Sequence, residues 1–129
     1  MKTKHLDLGC GKNARNPYNQ QELYGVDIAA CESSESDTFK TANLSTQPIP
    51  FPDNAFNSVS AFDFLEHVPR QIHFADDRLS RLPFIELMNE VWRVLKNDGI
   101  FYALTPVFPH PSAFVDPTHV NFITDKTHH

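Results

Sequence analysis

The chain is poor in glycine, with four among 129 residues, and it carries only two cysteines, two methionines and one tryptophan. With so few glycines, each marks a place where the backbone needs unusual freedom. Cys10 and Cys31 stand in no CxxC spacing, which argues against a disulfide framework or a zinc ribbon. The seven histidines form no HxxH or HExxH pattern, so no metal site is expected. No Lys/Arg cluster occurs and the formal net charge is −5; a nucleic-acid binder shows a basic stripe instead. No apolar run approaches the length of a membrane span. The basic start Met1-Lys2-Thr3-Lys4-His5 is not followed by the hydrophobic stretch of a signal peptide. These absences predict no nucleic-acid or membrane partner and a cytoplasmic location.

What is abundant is proline, ten residues, seven of them clustered at 48–52 and 106–117 as two rigid non-helical loops. Eleven phenylalanines predict an aromatic-rich core. The length fits a single domain over residues 1–129. Near its start, Leu6-Asp7-Leu8-Gly9-Cys10-Gly11 reads as a short buried strand running into a glycine turn. A second run, Leu23 to Ile28, carries Asp27 close to its end. A glycine turn after one strand and a carboxylate at the tip of the next is how open α/β sheets hold a nucleoside.

Strands are expected at residues 4–8, 23–28, 38–42, 56–62 and 100–105. Between the first two, KNARNPYNQQE carries Asn16-Pro17 at its middle, which disfavours a helix. Residues 31–37 (CESSESD) read as a surface loop, and residues 70–82 as a loop with short helical pieces. Phe64 to Val68 reads as a helical turn closed by Pro69. From Pro83 to Lys96, Phe84, Leu87, Met88, Val91, Trp92 and Leu95 fall at helical spacing and predict a core-facing helix. Asn97-Asp98-Gly99 stops it, with Gly99 suited to a left-handed cap. After Pro106 the chain is loop-like, with Val120 to Ile123 extended. Strands joined by crossovers imply a largely parallel sheet.

Five stretches, in this order, resemble the class I S-adenosylmethionine-dependent methyltransferases: LDLGCG, GVDIA, PIPFPDNAFNSV, FDFLEHV and ELMNEVWRVLKNDGIF. The resemblance implies an α/β, Rossmann-like, mainly parallel sheet with reduced helices, and S-adenosylmethionine as cofactor. It implies that backbone around Gly9, Cys10 and Gly11 packs on the methionine part of the cofactor. Asp7 would orient that loop and help hold the amino group, and Asp27, with Ile28 beside it, would take the ribose hydroxyls. Asn43 and Leu44 would meet the adenine, and Asp63 and Phe64 would sit near the methyl donor. His67 and His119, with Asp63 behind them, are the candidates for a base acting on a small-molecule acceptor. Cys10 is otherwise a small packing residue.

The sequence also departs from the family pattern. Asn13 stands where the third glycine is expected, and the usual C-terminal β-hairpin is lacking, as in a chain truncated after strand five. A homodimer is the expected cover for the sheet edge so exposed. His128 and His129 read as a tag remnant or a frayed end. Two other readings stay open at this point. One is a cofactor- or partner-binding domain without turnover. The other is a nicotinamide-dependent oxidoreductase, since Gly9-x-Gly11-x-x-Ala14 fits the dinucleotide fingerprint.

Overall fold

Four short apolar stretches and one longer one form a single parallel sheet, in the order β3-β2-β1-β4-β7. They are β1 (Lys4–Leu8), β2 (Glu22–Asp27), β3 (Phe39–Thr41), β4 (Phe56–Phe62) and β7 (Leu95–Leu104). The structure is a computed structural model and describes residues 1–29, 36–75 and 77–127. Cys31, most of the polar run after it, and both terminal histidines lie outside the described residues. The chain builds outward from β1 through β2 to β3, then crosses to the other side of β1 for β4 and β7. The order therefore reverses between β1 and β4. In open α/β sheets a ligand crevice opens at such a switch point, beyond the carboxyl ends of the strands.

Alternation along β1 and β4 separates the two faces of the sheet. Leu6, Leu8, Val26, Val59 and Ala61 pack with Leu87, Val91 and Val94 of α1 (Pro83–Val94) in one buried cluster. Tyr24, Phe51 and Phe56 meet edge to face at 5.3–5.6 Å at one end of it. The proline-rich loop that brings Phe51 there is tied to α1 by Arg93. Its guanidinium donates to the carbonyls of Ile49 and Phe51 and to the carboxylates of Asp53 and Glu90. Glu90 in turn accepts from the Ile49 amide at 2.9 Å.

The opposite face is polar at its centre, with His5, Asp7, Ser58 and Ser60 all buried. Residues 12–21 form turns and no helix, as Asn16-Pro17 predicts. That loop lies over the polar face: Gln20 donates to Ser58 at 3.2 Å, and Arg15 stacks on Phe62 at 4.6 Å. The hydrogen bonds run in one direction. Ser58 Oγ lies 2.7 Å from His5 Nδ1, His5 Nε2 lies 2.8 Å from Ser60 Oγ, and Ser60 donates to Asp7 Oδ1 at 2.7 Å. Since Ser60 spends its proton on Asp7, it accepts from Nε2–H, and Nδ1 accepts from Ser58. His5 is thus a satisfied neutral imidazole, and burial lowers its pKa from 6.5 to about 4. Beyond the loop, Ile100, Tyr102 and Leu104 of β7 are exposed on this same face.

Several expectations need correction. Residues 70–82 do not hold helical pieces but an antiparallel hairpin, β5 (Ile72–Phe74) with β6 (Asp77–Arg81). A three-residue strand is too short to show a period of two in the sequence. Helix α1 ends at Val94, two residues early, because Leu95 is already extended and pairs with Phe56. The left-handed residue of the following turn is Asp98 (φ 65°), not Gly99. Gly99 is needed for closeness instead: a Cβ there would lie 2.8 Å from both a Leu95 methyl and the Lys96 carbonyl. Trp92 is not in the core but 81% exposed. The packed stripe of α1 is the narrow row Pro83, Leu87, Val91 and Val94, with Phe84 and Met88 at its margin and Trp92 outside it.

Candidate active site

The turn after β1 is built from left-handed backbone, with φ of 64° at Gly9 and 57° at Gly11. Only glycine adopts such values without strain. The Gly9 and Cys10 amides both donate to the Val26 carbonyl, at 2.9 and 3.2 Å, folding the turn over the end of β2. The Gly11 amide then reaches Asp27 Oδ2 at 2.8 Å. Asp27 Oδ1 accepts from the Ala29 amide at 3.1 Å. Each oxygen so engaged keeps a further lone pair for an incoming donor. A Cβ at Gly9 would fall 2.6 Å from the Phe64 ring, so the glycine also lets Phe64 close against the turn.

A cleft of about 470 Å³ opens beyond the carboxyl ends of these strands. Of the residues singled out in the sequence, Gly9, Asp27, Ile28, Asn43, Leu44, Asp63, Phe64 and His67 line it. That volume lies within the ordinary range for a small-molecule site. Asn43 takes its place by a tight turn: its side-chain oxygen accepts from the Ser45 amide at 3.1 Å and its amide donates to Gln47 at 2.7 Å. Asp63 leaves β4 with φ of 49°, its amide bonded to the Leu104 carbonyl at 2.8 Å. An aspartate tolerates this left-handed conformation better than most residues.

Four expected residues are not among those lining the cleft. Asp7 is buried beneath the turn, where Oδ1 accepts from Ser60 and Oδ2 accepts from the Arg15 amide at 2.9 Å. It braces the loop, and burial raises its pKa. Cys10 is a buried packing residue. Gly11 is exposed, and its amide donates to Asp27. His119 stands behind His67, the two rings 4.8 Å apart and nearly perpendicular.

Conversely, Val26, Ala42, Ser45 and Thr118 line the cleft without having been singled out for it. Thr118 directly precedes the candidate base His119, so the sequence points to its neighbourhood but not to the residue itself. Glu66 was hidden in the same way within LEHV. It is 2% exposed, and among the described residues no other residue donates a hydrogen bond to either carboxylate oxygen. Burial pushes its pKa up. Its backbone carbonyl accepts from the amides of Val120 and Asn121, at 2.9 and 3.0 Å. Those bonds dock the late loop onto the turn Leu65–His67. The loop in turn fixes both histidines. His67 Nδ1 lies 3.2 Å from the Thr118 carbonyl and 3.0 Å from its hydroxyl, and His119 Nδ1 lies 3.2 Å from the Ala113 carbonyl. Asp116 is held ionised by bonds from Thr118, which lower its pKa.

Comparison with known proteins bears on this arrangement. Residues 6–103 match the family model described as a methyltransferase domain. The YcgJ protein of Bacillus subtilis superposes with a TM-score of 0.64 over 95% of this chain, at 24% identity. A complex between the Haloferax volcanii Trm112 methyltransferase activator and a protein named as a methyltransferase gives 0.61 over 95%, at 16% identity. The chain spans 56% of each of those structures, and at such identities the likeness concerns the fold. Among curated protein sequences none matches.

Proposed function

The chain belongs to the methyltransferase-domain family, and from that premise we propose that it binds S-adenosylmethionine in the cleft beside Gly9 and Asp27. There it would transfer the methyl group to a small-molecule acceptor. The observation that carries this reading is the convergence of Gly9, Asp27, Asn43, Leu44, Phe64 and His67 on one cleft at the switch point of the sheet.

The residues present suit such a cofactor. The Asp27 carboxylate, held by the Gly11 and Ala29 amides, has lone pairs left for the two ribose hydroxyls. Among the described residues the Leu44 amide donates to no protein acceptor, which leaves it for the adenine ring. Phe64 offers an apolar wall to the sugar and the sulfur. A turn with no helix behind it is poorly equipped for pyrophosphate, so a sulfonium cofactor is favoured over a nicotinamide dinucleotide.

S-adenosylmethionine supplies a methyl group already activated by the positive sulfur. The protein then has to align a nucleophile with the S–CH₃ bond and exclude water, and positioning of that kind is worth up to ~7–11 kcal/mol. His67 lines the cleft, and its Nδ1–H is spent on the Thr118 carbonyl. Its Nε2 therefore carries the lone pair and can take the proton of a hydroxyl or amine acceptor. His119, packed edge-on behind it, keeps that ring in place.

The test is calorimetry with S-adenosylhomocysteine on the folded chain, followed by an assay for its release from S-adenosylmethionine with a panel of hydroxyl and amine acceptors. Binding with turnover supports the reading. Binding without turnover on any acceptor favours a cofactor-binding module, and absence of binding overturns both.

A further inference from the structure

Among the described residues, both oxygens of the buried Glu66 carboxylate beside the cleft lack a hydrogen-bond partner. A carboxylate taken out of water and given no hydrogen bond is costly unless something else compensates it. What faces it is a pair of imidazoles. His67 Nε2 lies 3.8 Å from Glu66 Oε1, too far for a hydrogen bond. One donor atom from each of Glu66, His67 and His119 lies within 4.8 Å of the others.

Both rings are oriented alike. Each presents Nδ1 to a backbone carbonyl, His67 to Thr118 and His119 to Ala113, both at 3.2 Å. A carbonyl only accepts, so Nδ1 bears the hydrogen on each ring and Nε2 carries the lone pair. This is how metal-binding histidines are held, with the distal N–H donated to a fixed acceptor. Asp116 Oδ2 lies 3.9 Å from His119 Nε2 but outside that group of three.

We propose that Glu66, His67 and His119 form a binding site for a divalent first-row transition cation at the wall of the cleft. Two imidazoles and one carboxylate suit zinc, cobalt, iron or manganese rather than the harder magnesium or calcium. Metal–ligand bonds of about 2.0–2.2 Å bring ligand atoms to roughly 3.4 Å from one another. The three side chains therefore close inward by on the order of 1 Å on binding. Of the three ligands His67 lines the cleft; with its Nε2 committed to the cation it no longer serves as the base, and the cation itself would make an acceptor hydroxyl bound at its open position more acidic. The site stands on its own geometry, while that role toward the acceptor rests on the proposed methyl transfer. Linear spacing cannot disclose it, because Glu66 and His67 are neighbours in sequence and His119 arrives from a separate loop.

The experiment is titration of the metal-free full chain with Co²⁺, followed by visible absorption, and with Zn²⁺ by calorimetry. Expected is one strong site per chain, with the d–d bands of a low-symmetry Co²⁺ centre and a raised Tm. Affinity should fall at least tenfold in Glu66→Gln and in His119→Gln, each checked for wild-type circular dichroism. It should be unchanged in His110→Gln and in a chain lacking residues 128–129, which control for surface histidines. Metal affinity equal to wild type in the folded Glu66→Gln and His119→Gln variants, or no binding by the folded wild type, overturns the proposal. Binding of S-adenosylhomocysteine is measured in parallel on wild type. Metal binding without it upholds the metal site and overturns the methyl-transfer reading. The converse result overturns the metal site alone.

Discussion

Gly11 donates its amide hydrogen to Oδ2 of Asp27 across 2.8 Å, tying the glycine turn of one strand to the acid at the tip of the next. The bond fixes the carboxylate before any ligand arrives, so its orientation costs nothing at the moment of binding. Asp27→Ala should weaken S-adenosylhomocysteine binding by about 10–100-fold, the loss of charge-assisted hydrogen bonds worth roughly 1.5–3 kcal/mol. Calorimetry reads this directly, and an affinity within twofold of wild type would place the ribose elsewhere.

The two glycines of the turn should respond differently. Gly11→Ala meets no atom within 4 Å and pays only for its left-handed backbone, about 1–2 kcal/mol. Gly9→Ala pays that and also drives its methyl into the Phe64 ring at 2.6 Å. Urea denaturation should give Gly9→Ala the lower midpoint, and Phe64→Ala added to it should recover part of the difference. Equal midpoints for the two single variants would refute the close approach.

His5 should carry a pH signature. Its folded pKa lies at about 4, below the ordinary 6.5. Between those values the unfolded chain binds a proton that the folded chain refuses, so stability falls as pH drops through that window. The full loss by pH 4 is on the order of 3 kcal/mol. Nitrogen NMR should find the His5 ring neutral at pH 5 in the folded protein. The stability difference between wild type and His5→Gln should shrink across the same range. A His5 ring that titrates near 6.5 would contradict the buried Ser58–His5–Ser60–Asp7 chain.

The faces of α1 make a simple contrast. Leu87 is 2% exposed and Trp92 is 81% exposed. Leu87→Ala should destabilise by about 2–5 kcal/mol, while Trp92→Ser should stay within about 0.5 kcal/mol. Thermal and urea unfolding measure both.

Arg93 holds the proline-rich loop by its fork of donors, engaging two carbonyls and two carboxylates at 2.7–2.9 Å. Lysine keeps the charge but cannot reproduce that fork. Arg93→Lys should therefore cost about 1–2 kcal/mol in urea unfolding, and a neutral result would mean that the loop is held by its prolines and Phe51 alone.

What the sequence determined by itself is what local chemistry dictates. Alternating apolar residues place β1, β2 and β4, and Asn16-Pro17 removes the helix after the glycine turn. The scarcity of glycine made Gly9 and Gly11 stand out, and their positive φ values are why they are there. Tertiary structure alone decided which row of α1 is buried, leaving Trp92 in solvent, and paired residues 72–74 with 77–81. It also turned Asp7 inward to Ser60 and Arg15, and set Glu66 and His67 against Thr118 and His119. These contacts join positions such as 67 and 118, 51 residues apart. A local pattern reports the period of a segment and its turns, whereas the packing partner of a side chain depends on how distant segments close on one another.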